Sequence, residues 1–176
     1  MTVLITGGSK CGKSRLAESL LGDFSGRKIY LATMQPFGSE AEAAISRHRI
    51  QRAGKGYETI EQYTNLDSLR VPEQAAVLLE CMGNLLANEM FSDDVAYDPC
   101  AAVLRGIRHL QRNAAHLIIV TNQVGSDGIT YPAETERYIR NLGAVNAACA
   151  AASDLVVECV YGIPVVLKGE LPCCIR

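Results

Sequence analysis

Short apolar runs alternate with longer stretches of helical period along this chain. Residues 2–6 (TVLIT), 28–32 (KIYLA), 57–60 (YETI), 75–79 (AAVLL) and 117–121 (LIIVT) read as strands, and residues 155–159 and 164–168 as two more. The run at 75–79 is apolar throughout, as a strand buried on both faces requires. Tyr161-Gly162 leaves room only for a tight connection between the last two strands, which predicts a hairpin. Helical spacing covers residues 15–21, 39–52, 82–91, 101–113 and 134–152. In 101–113, Val103, Leu104, Ile107 and Leu110 form one stripe and the arginines lie off it. Ser39 is placed to cap the second helix, with Glu40 and Glu42 at its positive end. Residues 65–69 predict a helical turn, Gly54 to Gly56 a break, and residues 92–99 an acidic loop. Gly143, inside the last helix, predicts close packing there. Strands alternating with helices give an open α/β sheet. With no repeat, low-complexity tract or linker, residues 1–176 read as a single domain.

One connection carries chemistry. Between the first strand and the first helix, TGGSKCGKS places Gly7, Gly12, Lys13 and Ser14 on the pattern G-x-x-x-x-G-K-[ST]. A glycine-rich turn lets successive N–H groups converge on phosphate oxygens, and the following helix adds its positive end. In this motif Lys13 reaches the β- and γ-phosphates and Ser14 holds Mg2+. The nucleotide-binding stretch is Gly7, Gly8, Ser9, Lys10, Cys11, Gly12, Lys13 and Ser14.

Composition narrows the rest. The 176 residues are 48% hydrophobic and 20% charged, with a net charge of −2. That is a globular chain without the basic footprint of a nucleic-acid binder. No apolar run approaches the roughly 20 residues of a membrane span, and no leader-like segment opens the chain, so the expectation is a soluble, cytoplasmic protein. Seven cysteines without a C-x-x-C pair argue against a disulfide framework and read as small apolar fillers. Cys11 stands apart, because it lies inside the phosphate loop and is open to alkylation. His109 and His116 have no partners at metal spacing and read as structural or surface residues.

Strand ends beside the loop are the natural substrate positions in an open α/β sheet. Thr33, Met34 and Gln35 follow the second strand, Glu80 follows the fourth, and Asn122 and Gln123 follow the fifth. Glu80 is placed where phosphate-loop proteins hold the magnesium shell. Met82–Phe91 carries Asn84 and Asn88 on one face. At the end of the second helix, Arg47, His48, Arg49 and Arg52 form a basic cluster with two readings. The cations suit the negative end of the helix. Alternatively, a histidine flanked by cations is favoured in its neutral, nucleophilic form beside groups that hold phosphates.

Together these segments resemble the bifunctional adenosylcobinamide kinase / adenosylcobinamide-phosphate guanylyltransferase family of cobalamin assembly. The resemblance runs from about Val3 to Lys168, through TGGSKCGKSRLAE, YLAT, ISRHR, TIE at Thr59–Glu61, VLLEC, VTNQVG and GIPVVLK. It implies a mostly parallel sheet of phosphate-loop type with a C-terminal antiparallel hairpin, assembled as a homotrimer. It implies phosphorylation of adenosylcobinamide with ATP or GTP, and transfer of GMP from GTP to that phosphate through a guanylylated histidine. His48 matches that histidine, so the resemblance assigns the catalytic roles to His48 and Lys13. It extends the nucleotide contacts to Thr33, Met34, Gln35, Arg49, Ile50, Gln51, Arg52, Glu61 and Glu80, and leaves Ser14 and Glu80 for Mg2+.

The chain also departs from the family pattern. Gln123 stands where glutamate is usual, Asn146-Ala147 where Asn-Gln is usual, and Tyr57 where tryptophan is usual, with one extra residue between His48 and Glu61. Gln123 can neither carry charge nor act as a base. Two rival readings follow: a guanylyltransferase with an impaired kinase step, or a nucleotide-binding regulatory protein without turnover.

Overall fold

The computed structural model describes residues 1–92 and 98–172, and only the backbone of Glu40, Ala44 and Gln51. The core of the expected acidic loop and the last two cysteines, Cys173 and Cys174, lie outside the described residues. The strands are β1 (Thr2–Thr6), β2 (Lys28–Ala32), β3 (Tyr57–Glu61), β4 (Ala76–Leu79), β5 (His116–Val120), β6 (Leu155–Val160) and β7 (Ile163–Lys168). The helices are α1 (Lys13–Leu20), α2 (Gly38–Arg52), α3 (Met82–Phe91), α4 (Pro99–Asn113) and α5 (Ala133–Ala152), with a 3-10 turn at Leu66–Ser68.

All seven strands form one sheet in the order β3-β2-β4-β5-β1-β6-β7. Every neighbouring pair is parallel except β6–β7, which is the expected antiparallel hairpin. Tyr161 and Gly162 turn it with φ of 51° and 83°, the left-handed pair that a two-residue hairpin turn requires. Alternate residues of each central strand feed two cores. Leu4, Leu31, Val77, Leu79 and Ile119 pack under α3, α4 and α5. Val3, Ile5, Leu78, Ile118 and Val157 pack under α1 through Leu16, Ala17 and Leu21. Burial on both faces is why these strands read as continuous apolar runs.

Helix α2 belongs to neither core. Of its described side chains only that of Arg52 is buried, so the helix lies over the sheet's carboxyl edge without an apolar seam. Its entry differs from expectation. The chain enters through Gly38 at φ 80°, and Ser39 lies inside the helix, which has no side-chain cap. Gly143 also departs: it is exposed, and a Cβ built there meets nothing within 4 Å. Of the five described cysteines, Cys149 and Cys159 are buried fillers, while Cys11, Cys81 and Cys100 are half-buried. His109 and His116 are structural: His109 Nε2 lies 2.7 Å from the Leu69 carbonyl, and His116 meets Phe24 edge to face.

Candidate nucleotide-transfer site

The loop between β1 and α1 is shaped by left-handed residues. Gly7 has φ 142°, and a Cβ there would lie 2.6 Å from the carbonyl oxygen of Cys159, so only glycine lets β6 approach the loop. Lys10 at φ 58° and Gly12 at φ 105° complete the turn. Helix α1 starts at Lys13 with no side-chain cap, which leaves its first N–H groups directed at the loop. The Lys13 ammonium donates to the carbonyls of Gly7 (2.9 Å) and Gly8 (2.5 Å), arched along the inside of the turn. The hairpin supports the loop from the other side. The carbonyl of Cys11 accepts from Gly162 N (2.8 Å) and from the Cys159 thiol (3.2 Å).

A cleft of about 650 Å³ opens over this loop at the carboxyl edge of the sheet. Ser9, Lys10, Cys11, Gly12, Lys13 and Ser14 form its floor. Met34 enters from the end of β2, Glu80 and Cys81 from β4, and Val120 and Asn122 from β5. Arg47 and His48 descend from α2, and Lys55 from the turn after it. The cations Lys10, Lys13, Arg15, Arg47 and Lys55 face only Glu18 and Glu80 as acids among the described lining residues. Such a cleft attracts a polyanion.

The acidic wall is held in place by the backbone. Glu80 Oε2 accepts from the N–H of Thr33 (3.2 Å) and of Met34 (3.4 Å). Thr33 is buried and donates its hydroxyl to the Cys81 carbonyl (2.9 Å). Asn88 donates to the carbonyls of Thr33 (2.9 Å) and Tyr63 (3.0 Å). The ends of β2 and β4 are thus tied together around Glu80. Burial, reinforced by Glu80, pushes the Tyr30 phenol well above its ordinary range, and burial likewise raises the Cys81 thiol. Ser14 and Glu80 line the same cleft. One hydroxyl, one carboxylate and phosphate oxygens form a donor set that fits Mg2+, which keeps several waters and takes few protein ligands.

Among the described side chains, the other residues expected at the nucleotide do not line this cleft. Gln35 lines a separate hollow of about 390 Å³ with Phe37, Asn84 and Asn88. Arg49 pairs with Glu61 at 3.0 Å on the exposed side of α2, and Glu61 also accepts from the Tyr63 hydroxyl. Ile50 is 73% exposed, and the side chain of Gln51 is outside the described residues. Arg52 stacks its guanidinium 3.2 Å from the centre of the Tyr30 ring. Sequence reasoning missed Arg15, Glu18, Lys55 and Cys81. A lysine set between two glycines was a signal for Lys55, and one helical turn from the motif serine to Glu18 was another. Lys55 and Glu18 pair at 2.5 Å and join the end of α2 to α1.

Residues 3–167 match the family model described as Cobinamide kinase / cobinamide phosphate guanyltransferase. The chain belongs to this family. Among its relatives, it is 35% identical over 184 residues to the bifunctional adenosylcobalamin biosynthesis protein CobU of Escherichia coli K12, with 96% of this chain and 100% of that protein covered. The CobU protein of Salmonella typhimurium is 36% identical over 184 residues, with the same coverage. The bifunctional protein CobP of Pseudomonas aeruginosa is 30% identical over 181 residues, covering 97% of this chain and 99% of that one. Against this family background, the structure locates the departures. Gln123 donates its amide to Glu158 (3.0 Å) and does not line the triphosphate cleft. Asn146 accepts from the Thr121 hydroxyl (2.7 Å), and Ala147 is exposed.

Proposed function

We propose that this chain phosphorylates adenosylcobinamide with ATP or GTP, and transfers GMP from GTP to adenosylcobinamide phosphate through a covalent adduct on His48. The observation that carries this reading is that His48 and the phosphate loop line one cationic cleft. In the kinase step the loop N–H groups and Lys13 hold the triphosphate, and the substrate hydroxyl attacks the γ-phosphorus. In the transfer step a neutral His48 nitrogen attacks the α-phosphorus of GTP and pyrophosphate leaves. An oxygen of the cobinamide phosphate then displaces the histidine. Splitting the transfer into two displacements gives each a good leaving group. Arg47, beside His48, offsets charge on the phosphates. Ser14 and Glu80 would hold Mg2+, which would supply charge neutralisation on the phosphates.

The finer reading includes a homotrimer working in the cytoplasm. Strand β7 is an edge, and Ile163, Val165 and Leu167 on it are 65%, 41% and 58% exposed. An apolar edge of this kind is a surface that neighbouring subunits cover. No helix among the described residues is long and apolar enough to cross a membrane.

The test is to assay the two reactions separately. Lys13→Ala lowers both, and His48→Ala loses GMP transfer while retaining most of the kinase activity. Normal GMP transfer by His48→Ala refutes the covalent route. No kinase activity in the wild type supports the single-reaction alternative.

A further inference from the structure

We propose that Cys11 and Cys159 form a reactive thiol pair beneath the phosphate loop, a site for small-molecule disulfides whose oxidation to a Cys11–Cys159 cross-link switches off triphosphate binding. The switch rests on the nucleotide-site reading above; the cross-link itself does not.

The two cysteines are 148 positions apart, yet the fold brings them together. The Cys159 thiol donates to the Cys11 carbonyl at 3.2 Å. A Cβ on Gly7 would lie 3.0 Å from the Cys11 sulfur and 3.4 Å from the Cys159 nitrogen. Only the bare face of Gly7 therefore separates the Cys11 side chain from the backbone of Cys159. Both thiols are free.

Their exposures divide the labour. Cys11 lines the triphosphate cleft, with its sulfur 4.0 Å from the Lys13 ammonium, and is open to a reagent entering there. Cys159 is 1% exposed at the end of β6. Burial, and then the neighbouring Cys11, push its thiol up, so it is not the first to react. In the first step the Cys11 thiolate attacks one sulfur of a disulfide such as oxidised glutathione, forming a mixed disulfide and releasing one thiolate. In the second, the Cys159 thiol gives its proton to solvent and its sulfur attacks that of Cys11, releasing the second thiolate. Two electrons pass from the protein thiols to the reagent, which leaves as two thiols.

The cross-link acts on binding through distance. Closing the two sulfurs to a bond of about 2.0 Å draws the loop toward β6. The loop has no slack on that side, because Gly7 already meets the Cys159 carbonyl and the Cys11 carbonyl is already held by Gly162. The shift falls on N–H groups that must converge on phosphate oxygens.

The experiment treats the reduced full chain with oxidised glutathione. It reads intact mass, a non-reducing peptide map, and affinity for GTP with magnesium, before and after dithiothreitol. The expected product has lost two hydrogens, links the Cys11 and Cys159 peptides, and binds GTP at least tenfold more weakly until reduced. Prior GTP slows its formation. Cys159→Ser, which keeps a donor to the Cys11 carbonyl, binds GTP normally when reduced and retains glutathione on Cys11. Lasting glutathione on wild-type Cys11, or no reaction there, overturns the thiol pair. A cross-link that leaves GTP affinity unchanged overturns the switch. Failure of the reduced wild type to bind GTP strikes the nucleotide-site reading, while the peptide map still decides the cross-link.

Discussion

Truncating Arg52 to alanine isolates how the proposed nucleophile, His48, is positioned. Helix α2 carries His48, yet among the described side chains it and the turn after it make three polar contacts near its end and bury no apolar residue. These are Arg49 with Glu61, Lys55 with Glu18, and Arg52 over the Tyr30 ring. The Arg49 and Glu61 side chains are 63% and 48% exposed, and a pair of that kind contributes about 0–1 kcal/mol. Arg52 is 7% exposed, and a desolvated guanidinium on an aromatic face contributes up to about 2 kcal/mol. Its Nη1 is buried without a partner, which subtracts from that gain. A net loss of about 1–2 kcal/mol leaves α2 docked through its two weaker contacts. At about 1.4 kcal/mol per tenfold, seating of His48 falls by roughly 5- to 30-fold. The assay is single-turnover formation of GMP–His48 beside the kinase rate of the same preparation. Arg52→Ala slows the adduct by that factor and leaves the kinase within about twofold. Arg52→Lys recovers little, because an ammonium lacks the planar stack. Equal loss in both reactions, through a raised KM for GTP, refutes the tether and makes Arg52 a nucleotide contact. No loss in either refutes both.

Other expectations test separate parts of the structure. Gly143→Ala raises stability by about 0.5–1 kcal/mol in chemical denaturation, because the site is helical and open; a fall in stability shows that another chain covers that face of α5. Burial, and then the charged N-terminus, lower the His116 pKa below the ordinary 6.5. Its contribution is therefore complete above pH 6.5 and declines as the pH drops toward the folded-state value, because the unfolded chain takes up the proton first. Urea unfolding across that range is flatter for His116→Gln, and an unchanged slope contradicts the assignment. Chelating magnesium stops both reactions, and Glu80→Gln, which keeps an acceptor for Thr33 and Met34, needs more magnesium for half-maximal rate. Unchanged magnesium dependence removes Glu80 from the metal.

The loop from Gly7 to Ser14 was legible because its chemistry is local: a glycine-rich turn closed by Lys13 and Ser14 within eight residues. The buried strands were legible because burial on both faces leaves no polar position to break the run. The hairpin was written in Tyr161-Gly162. Helix α2 was readable as a helix but not as an arm, since its anchors, Tyr30 and Glu18, lie 22 and 37 residues away from Arg52 and Lys55. The same distance hid the partner of Cys11: Cys159 looked like one more small core residue until β6 was laid beside β1. Ser39 misled because Gly38, with its left-handed φ, carries the chain into the helix ahead of the expected cap. Gly143 misled because a glycine in a helix marks either a close approach or an open face, and spacing alone does not distinguish them.

The most direct test of the chemistry at His48 is the intact mass of the protein after incubation with GTP and magnesium, for wild type and His48→Ala. An acid-labile gain of one GMP in the wild type, absent from the variant, is the predicted result. A wild type that binds GTP but gains no mass, or a variant that gains the same mass, contradicts it.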